Sequence, residues 1–295
     1  MTDSLLLPDP EDPRLTRRVE GIDQAGERVE ASIVHERPLT LFLNDQEIVT
    51  VMTIGDYPEY LAIGYLLNQN MLRPDDRITA VEYDEELELV VVRTERRTDY
   101  EEKLRRRIQT SGCAQGTVFG DLMERFDEVV LPEEAELRTS SLYALLKRIN
   151  TCPSLYLKAG AIHGCALCER DRVLVYMEDV GRHNAVDKIA GFMFRHGISA
   201  GDKIFYTTGR LTSEMIIKTV QMGIPILVSR SGFTAWGVDL ARRAGLTLVG
   251  RARGRRFLVL SGEHRLVFDA DARAAPAEDP RSVRKGALPE EGSAV

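Results

Sequence analysis

The stretch Arg172-Val-Leu-Val-Tyr-Met177, running directly into Glu178-Asp179-Val180-Gly181-Arg182-His183-Asn184-Ala185-Val186-Asp187-Lys188, decides how the chain is read. The first six residues suit a buried strand, and the helical spacing of Arg182, Val186, Ile189 and Met193 predicts a helix over 185–195 with that stripe turned inward. Between them lie side chains that are charged or form strong hydrogen bonds, at the point where a strand becomes a helix. Open α/β sheets place ligand sites at such points. Gly181 permits a sharp turn. Arg182 sits in the first helical turn, where a cation opposes the helix dipole unless something anionic lies nearby. His183 and Asp187 are four apart, as are Asn184 and Lys188, so each is expected to pair with its helical neighbour. The cluster as a whole favours a site over a solvated helix start.

Downstream, strands are expected at 203–207, 225–229, 246–249 and 257–260, with helices at 213–222 and 235–244. Upstream lie a helix at 142–150 and strands at 154–158 and 161–167. Strands alternating with ten-residue helices predict an α/β layered unit with a mixed, largely parallel sheet. The strands at 161–167 and 172–177, joined by Glu169-Arg170-Asp171, form an antiparallel hairpin. Two more strand-to-helix junctions, Thr207-Thr208-Gly209-Arg210 and Ser229-Arg230-Ser231-Gly232, supply hydroxyls, a glycine and an arginine, the parts of an anion cradle. Neither is a Walker loop. Arg251-Ala252-Arg253-Gly254-Arg255-Arg256 adds four arginines, read either as solvated charge or as phosphate-binding forks.

The first half reads as α+β. Hairpins are expected from 38–43 with 47–52 and from 78–83 with 86–92, the latter alternating Glu86/Leu87/Glu88/Leu89. Asp56 is the expected N-cap of a helix carrying Leu61, Ala62, Tyr65 and Leu66, with Pro58 in its first turn. A charged surface helix is expected over 94–107. The chain divides into a loose tail over 1–18, an N-terminal domain over 19–138, a layered domain over 139–270 and a disordered tail over 271–295.

A chain of 295 residues with a hydrophobic fraction of 43% can build a proper core. Its net charge of -7 argues against general nucleic-acid binding. No apolar run is long enough for a membrane span, and the start is not a signal peptide, so a cytoplasmic protein is expected.

Four cysteines remain. Cys113 lies in Thr110-Ser111-Gly112-Cys113-Ala114-Gln115-Gly116-Thr117, a loop of small residues placed between the two domains, with Arg105, Arg106 and Arg107 just upstream. Cation-flanked, exposed thiols are reactive, although an incidental loop cysteine fits equally well. Cys165-Ala166-Leu167-Cys168 has the spacing of a redox or zinc motif, but residues three apart on a strand point to opposite faces. It also supplies only half of a structural zinc site, and Cys152 and His163 complete one only at awkward spacing. No metal site is expected. His163, between Gly160 and Gly164, is either an ordinary core histidine or a place of close approach.

Taken together, Glu178 to Lys188, Thr208-Gly-Arg-Leu-Thr-Ser-Glu-Met215 and Gly223-Ile-Pro-Ile-Leu-Val-Ser-Arg-Ser231 resemble the FdhD family, the sulfur carriers needed to make formate dehydrogenases active. The resemblance runs from about His35 to about Phe268, with weaker support from Thr53-Ile-Gly-Asp56, where the family usually has Pro in place of Ile54. It implies a second domain similar to cytidine deaminases and a homodimer. It implies acceptance of sulfur from a cysteine desulfurase as a persulfide on Cys113. It also implies delivery to the molybdenum or tungsten bis-guanine-dinucleotide cofactor of a formate dehydrogenase catalytic subunit. Arg182, His183, Lys188, Gly209, Arg210, Arg230 and residues 251–256 are expected to hold that cofactor as sulfuration target, with no tightly bound cofactor of the protein's own.

The family loop commonly reads C-x-x-C, whereas Gly116 stands at the second position. One thiolate suffices to carry a sulfane sulfur, but a two-cysteine release is put in doubt. A chaperone that binds the cofactor without moving sulfur is therefore retained as the alternative. Deamination is disfavoured, because zinc deaminases need H-x-E and P-C-x-x-C, and His163 is followed by Gly164 and Cys165.

Overall fold

The structure, a computed structural model, describes residues 6–96, 107–108 and 117–273. The Cys113 loop, residues 97–106 of the expected surface helix, and most of the C-terminal tail lie outside the described residues.

Strands β1 (Thr16–Ile22) and β2 (Arg28–Val34) form a two-stranded ribbon. A four-stranded sheet follows, from β3 (Arg37–Leu43), β4 (Gln46–Thr53), β5 (Ile78–Asp84) and β6 (Leu89–Thr94), in the order β4-β3-β6-β5. Helix α1 (Pro58–Asn68) closes its core over Leu39, Leu41, Leu43, Val90 and Val92. Both expected hairpins are present, with two corrections. Glu86, Leu87 and Glu88 form the turn rather than the strand, so Leu87 is 68% exposed and Glu88 takes a left-handed φ of 51°. Asp56 does not cap α1. Tyr57 stands there at φ 48°, and Asp56 turns inward to the Lys188 ammonium, a stronger attraction than a backbone N–H.

After β7 (Arg107–Ile108) and β8 (Thr117–Val118), helix α2 (Phe119–Glu128) already packs into the core of the second sheet through Leu122 and Phe126. There follow β9 (Leu137–Arg138), α3 (Thr139–Thr151) and a short α4 (Leu155–Ala159). The strand expected at 154–158 is thus a helix. Ser154 caps it by accepting from Leu157 N, and the buried Glu178 carboxylate accepts from Leu155 N at 2.7 Å. Those side-chain acceptors outweigh the apolar look of Leu155-Tyr156-Leu157.

The main unit comprises β10 (His163–Glu169), β11 (Arg172–Asp179), α5 (Arg182–His196), β12 (Ile204–Thr207), α6 (Ser213–Gln221), β13 (Ile226–Ser229) and α7 (Ala235–Arg243). Strands β14 (Thr247–Arg253), β15 (Arg256–Ser261) and β16 (Leu266–Val267) complete it. The six-stranded sheet runs β11-β10-β12-β13-β14-β15. It is mixed, but only β12–β13 and β13–β14 pair in parallel, so the expectation of a largely parallel sheet is corrected. Parallel neighbours need a crossover helix; β10–β11 and β14–β15 are joined by tight turns and must run antiparallel. Helices α2, α5, α6 and α7 cover one face and α3 the other. The tail expected over 1–18 is also more ordered than its composition suggests. Leu6 pairs with Val175 on the β11 edge, which would otherwise lie open, and Leu15 is buried.

Helices α1 and α5 cross at unusually close range, and this crossing joins the two sheets. A Cβ built on Gly64 would lie 1.7 Å from Asp187 O, and one on Gly191 2.0 Å from Tyr60 O. Only glycines let the two backbones touch.

Candidate functional site

The strand directions bring every sequence-predicted junction to one edge of the six-stranded sheet. β11, β12, β13 and β14 end there, while β10 and β15 begin there. His163 therefore faces Asp179 across β10–β11, and its Nδ1 lies 3.4 Å from Thr208 Oγ1 at the end of β12. Thr208 Oγ1 also accepts from Gly164 N at 3.0 Å. One unit further, Ser229 Oγ donates to Gly209 O at 2.6 Å, and Arg251 N donates to Ser231 O at 2.7 Å. These cross-links fix the loops to one another.

Helices α5, α6 and α7 all start at this edge, presenting the positive ends of their dipoles together. Among the described residues, α5 and α6 find no side-chain cap, and the buried Thr212 Oγ1 at the start of α6 finds no hydrogen-bond partner. Arg182 opens α5, is 7% exposed, and its Nε has no partner among the described residues. Its side chain crosses the turn after β12, where a Cβ on Gly209 would lie 3.0 Å from Arg182 Cδ. Glycine at 209 therefore makes room for the guanidinium.

His183 does not pair with Asp187, as its spacing suggests. Its Nε2 lies 3.0 Å from the Glu214 carboxylate on α6. Burial lowers the pKa of His183, with Glu214 opposing. Burial lowers that of His163 as well, helped by Arg182, His183 and Arg210. Both imidazoles thus give up their proton more readily than an ordinary histidine.

Of the other expected cofactor-binding residues, Arg210 is exposed at the edge, and Arg230 lies with its guanidinium carbon 6.0 Å from the Tyr156 ring centroid. Arg251, Arg253 and Arg256 are exposed, with Gly254 as the left-handed turn residue. Ala252 points into the core at 2% exposure, and Arg255 is drawn away to the Tyr143 ring, 5.3 Å off, and to Asp271 O. Strand alternation accounts for Ala252.

Lys188 stands apart. It is fully buried, and its three donors are taken by Asp56, by Asp179 at 2.5 Å and by Glu178 O at 3.0 Å. Burial works against the ammonium, and the two carboxylates overcome it and hold it protonated. Asn184 is not its partner either; Asn184 Nδ2 donates to Met52 O at 2.7 Å and to Asp179 Oδ1 at 3.1 Å. Asp187 accepts from Lys218 at 2.7 and 2.8 Å and from Asn68 Nδ2 at 2.7 Å. Thr53, Asp56, Asn68, Glu214 and Lys218 are therefore partners that sequence spacing did not reveal.

Cys165 and Cys168 are both fully buried, in the cores on opposite faces of the sheet, as strand alternation requires. Burial pushes the Cys165 thiol up to about 12 and the Cys168 thiol up as well. Cys152 is half-buried and also raised by burial. Cys113 lies outside the described residues. Among the described residues, no three His, Cys, Asp or Glu side chains gather as a metal site, and no helix is long and apolar enough to cross a membrane. An open polar cleft of about 710 Å³ near Arg73 and Arg125 contains none of the expected site residues.

Fold and edge together define a class of protein with two sheets joined by a buried helix crossing, and with arginines and three helix N-termini gathered at one sheet edge. The chain belongs to the FdhD/NarQ family, whose model matches residues 34–267. It is 30% identical over 243 residues to the sulfur carrier protein FdhD of Listeria monocytogenes, covering 81% of this chain and 93% of that one. It is 29% identical over 240 residues to the sulfur carrier protein FdhD of Bacillus subtilis, covering 81% and 92%. The fold is similar to the crystal structure of a Desulfotalea psychrophila protein described as a formate dehydrogenase accessory protein, with TM-score 0.69 and 26% identity, over 85% of this chain and 98% of that one.

Proposed function

We propose that this protein is a sulfur carrier of formate dehydrogenase maturation. Cys113 takes a sulfane sulfur from the persulfide of a cysteine desulfurase and passes it to the molybdenum or tungsten bis-guanine-dinucleotide cofactor held at the sheet edge. The Cys113 thiolate attacks the terminal sulfur, a new S–S bond forms, and the donor cysteine leaves as thiolate. The observation that carries the cofactor half of this reading is Arg182. A guanidinium buried at the start of α5, on the sheet edge where α6 and α7 also begin, with Nε unpartnered among the described residues, is a costly arrangement unless an anion completes it. Arg210, Arg230, Arg251, Arg253 and Arg256 extend the same positive edge, matching a ligand that carries phosphoanhydrides. The layered main unit is read as deaminase-like, and its working form as a cytoplasmic homodimer. The client is the catalytic subunit of a formate dehydrogenase, in line with what its relatives are called.

Two features bear on the sulfur half. The described cysteines are poor carriers, two sealed in the core and the third raised by burial. Gly116 replaces a second loop thiol, so release as sulfide by closure of a loop disulfide is not available. Sulfur then either passes directly to its acceptor or leaves with the help of an outside reductant such as a thiol; delivery at the sulfide level takes two electrons, which the acceptor or that reductant supplies as the S–S bond breaks and Cys113 departs as thiolate. The same residue supports a second reading, a chaperone that escorts the cofactor without moving sulfur.

Intact mass after incubation with a cysteine desulfurase and cysteine separates the two. A gain of one sulfur atom that disappears in Cys113→Ala supports the carrier. Equal client maturation by wild type and Cys113→Ala supports the chaperone. Unchanged GDP affinity in Arg182→Ala would remove Arg182 from the ligand site.

A further inference from the structure

The 178–188 turn has two sides, and only one of them faces the ligand edge. Arg182 and His183 face it. Asp179, Asn184, Asp187 and Lys188 face the opposite way, into the junction between the two sheets. Asp179 is at the centre of that junction. Its Oδ2 accepts from Thr53 Oγ1 at 2.5 Å and from Lys188 Nζ at 2.5 Å; its Oδ1 accepts from Asn184 Nδ2 at 3.1 Å and from Gly181 N at 3.3 Å. Thr53 is the last residue of β4, and Met52 O, beside it, holds Asn184. Asp56, from the loop before α1, holds Lys188. The same carboxylate thus shapes the Gly181 turn that launches Arg182 and grips the N-terminal sheet.

A buried ionic network is an inefficient glue, because packed apolar residues of similar volume usually hold as well or better. What such a network supplies is a fixed geometry, each group having few alternative partners. Here the geometry links the N-terminal sheet to the start of α5. We infer that Thr53, Asp56 and Asp179 are positioning residues for the ligand edge. Through Asp179 and the Gly181 turn, docking of the N-terminal sheet sets where Arg182 points, and so sets affinity for the anionic ligand. The inference rests on the reading of the edge as a phosphate-binding site and adds its control. Coupling of this kind is reciprocal, so a ligand at the edge tightens the docking of the two sheets.

The test uses the full chain and GDP as probe. Thr53→Val keeps the shape of the side chain and removes its donor to Asp179; Thr53→Ser keeps the donor. Neither touches the edge. Titration calorimetry, at a temperature where melts show all proteins folded, should find GDP bound about tenfold more weakly by Thr53→Val and within about twofold of wild type by Thr53→Ser. GDP should also raise the melting temperature of wild type more than that of Thr53→Val. Folded Thr53→Val with wild-type affinity overturns the inference. If Thr53→Val does not fold, Asp56→Asn takes its place, which loosens Lys188 without removing an acceptor, and unchanged affinity there overturns it equally. Wild type that accepts sulfur on Cys113 yet binds no GDP would defeat the phosphate-edge reading itself, and this inference with it, a result distinct from wild-type binding that is insensitive to Thr53.

Discussion

Lys188 and Asp179 form an ion pair, Nζ to Oδ2 2.5 Å, in which neither side chain has any exposure to water. The sequence placed Lys188 among the expected cofactor contacts, whereas in the structure its ammonium is taken up by Asp179, Asp56 and Glu178 O. Replacing Lys188 with Met leaves Asp179 and Asp56 buried without their counter-ion. Removing one partner of a buried pair costs about 3–5 kcal/mol, and that loss is expected in urea unfolding at pH 7.5. Burial already raises the Asp56 pKa in wild type, so the defect should shrink as pH falls and the stranded carboxyls take up protons. A loss under about 1 kcal/mol would contradict the role given to this pair.

The α1–α5 crossing makes a sharper demand. Alanine at Gly64 would put its Cβ 1.7 Å from Asp187 O, and at Gly191 2.0 Å from Tyr60 O. Both obstacles are backbone and cannot swing aside. Either substitution should destabilise by about 3 kcal/mol or more, the upper end of overpacking costs, or prevent folding. Gly232→Ala is the control, because no described residue lies within 4 Å of a Cβ built there. Thermal melts of the three variants decide the matter; a mild Gly64→Ala would mean the helices can part.

Much of the layout was legible because it is periodic. The helix after Gly181 and the strands of the main sheet follow from apolar spacing, and strand alternation correctly separated Cys165 from Cys168. The illegible part was partnership. His183 with Asp187, and Asn184 with Lys188, are sound pairs for an isolated helix, but burial of α5 on two sides offered stronger partners. Lys188 meets Asp56 from 132 positions away, and Asp187 meets Asn68 from 119. No local spacing encodes such contacts. The segment 155–159 failed for a related reason, its helix being nucleated by Glu178, which is distant in sequence.

The two edge histidines predict a pH dependence. Both have folded-state pKa values below the ordinary 6.5, burial being the first cause in each. The unfolded chain therefore binds protons more readily than the folded one as pH falls. Stability from these residues is fully present above about 6.5 and is lost progressively as pH drops through the folded values. Asp56 and Glu178, raised by burial, act in the opposite sense at lower pH. The informative quantity is thus the difference in slope between wild type and His163→Gln or His183→Gln. Unfolding free energies between pH 8 and 5 should fall less steeply in each variant. Parallel slopes would mean the imidazoles are not protected.

Cys165 and Cys168 offer the clearest check on where sulfur chemistry takes place. Cys165 is fully buried, its thiol donating to Thr207 Oγ1 at 3.3 Å and its pKa pushed up to about 12. Cys168 is sealed on the other face of the sheet, against the residues of α3. The thiolate is the nucleophile, and at pH 7.5 a pKa of about 12 leaves on the order of one Cys165 in ten thousand ionised or fewer. Even that fraction is closed off from reagent by the core. Brief iodoacetamide treatment of the folded protein should therefore leave both residues unmodified, while the same treatment in urea alkylates them. Mass mapping of the two digests reads the result directly. Cys165→Ser and Cys168→Ser should, by the same argument, accept sulfur from a cysteine desulfurase as fully as wild type does. Alkylation of Cys165 in the folded state at the rate of a free thiol would show that β10 opens. Loss of sulfur loading in Cys165→Ser, with the fold intact, would move the carrier thiol from the Cys113 loop into the sheet.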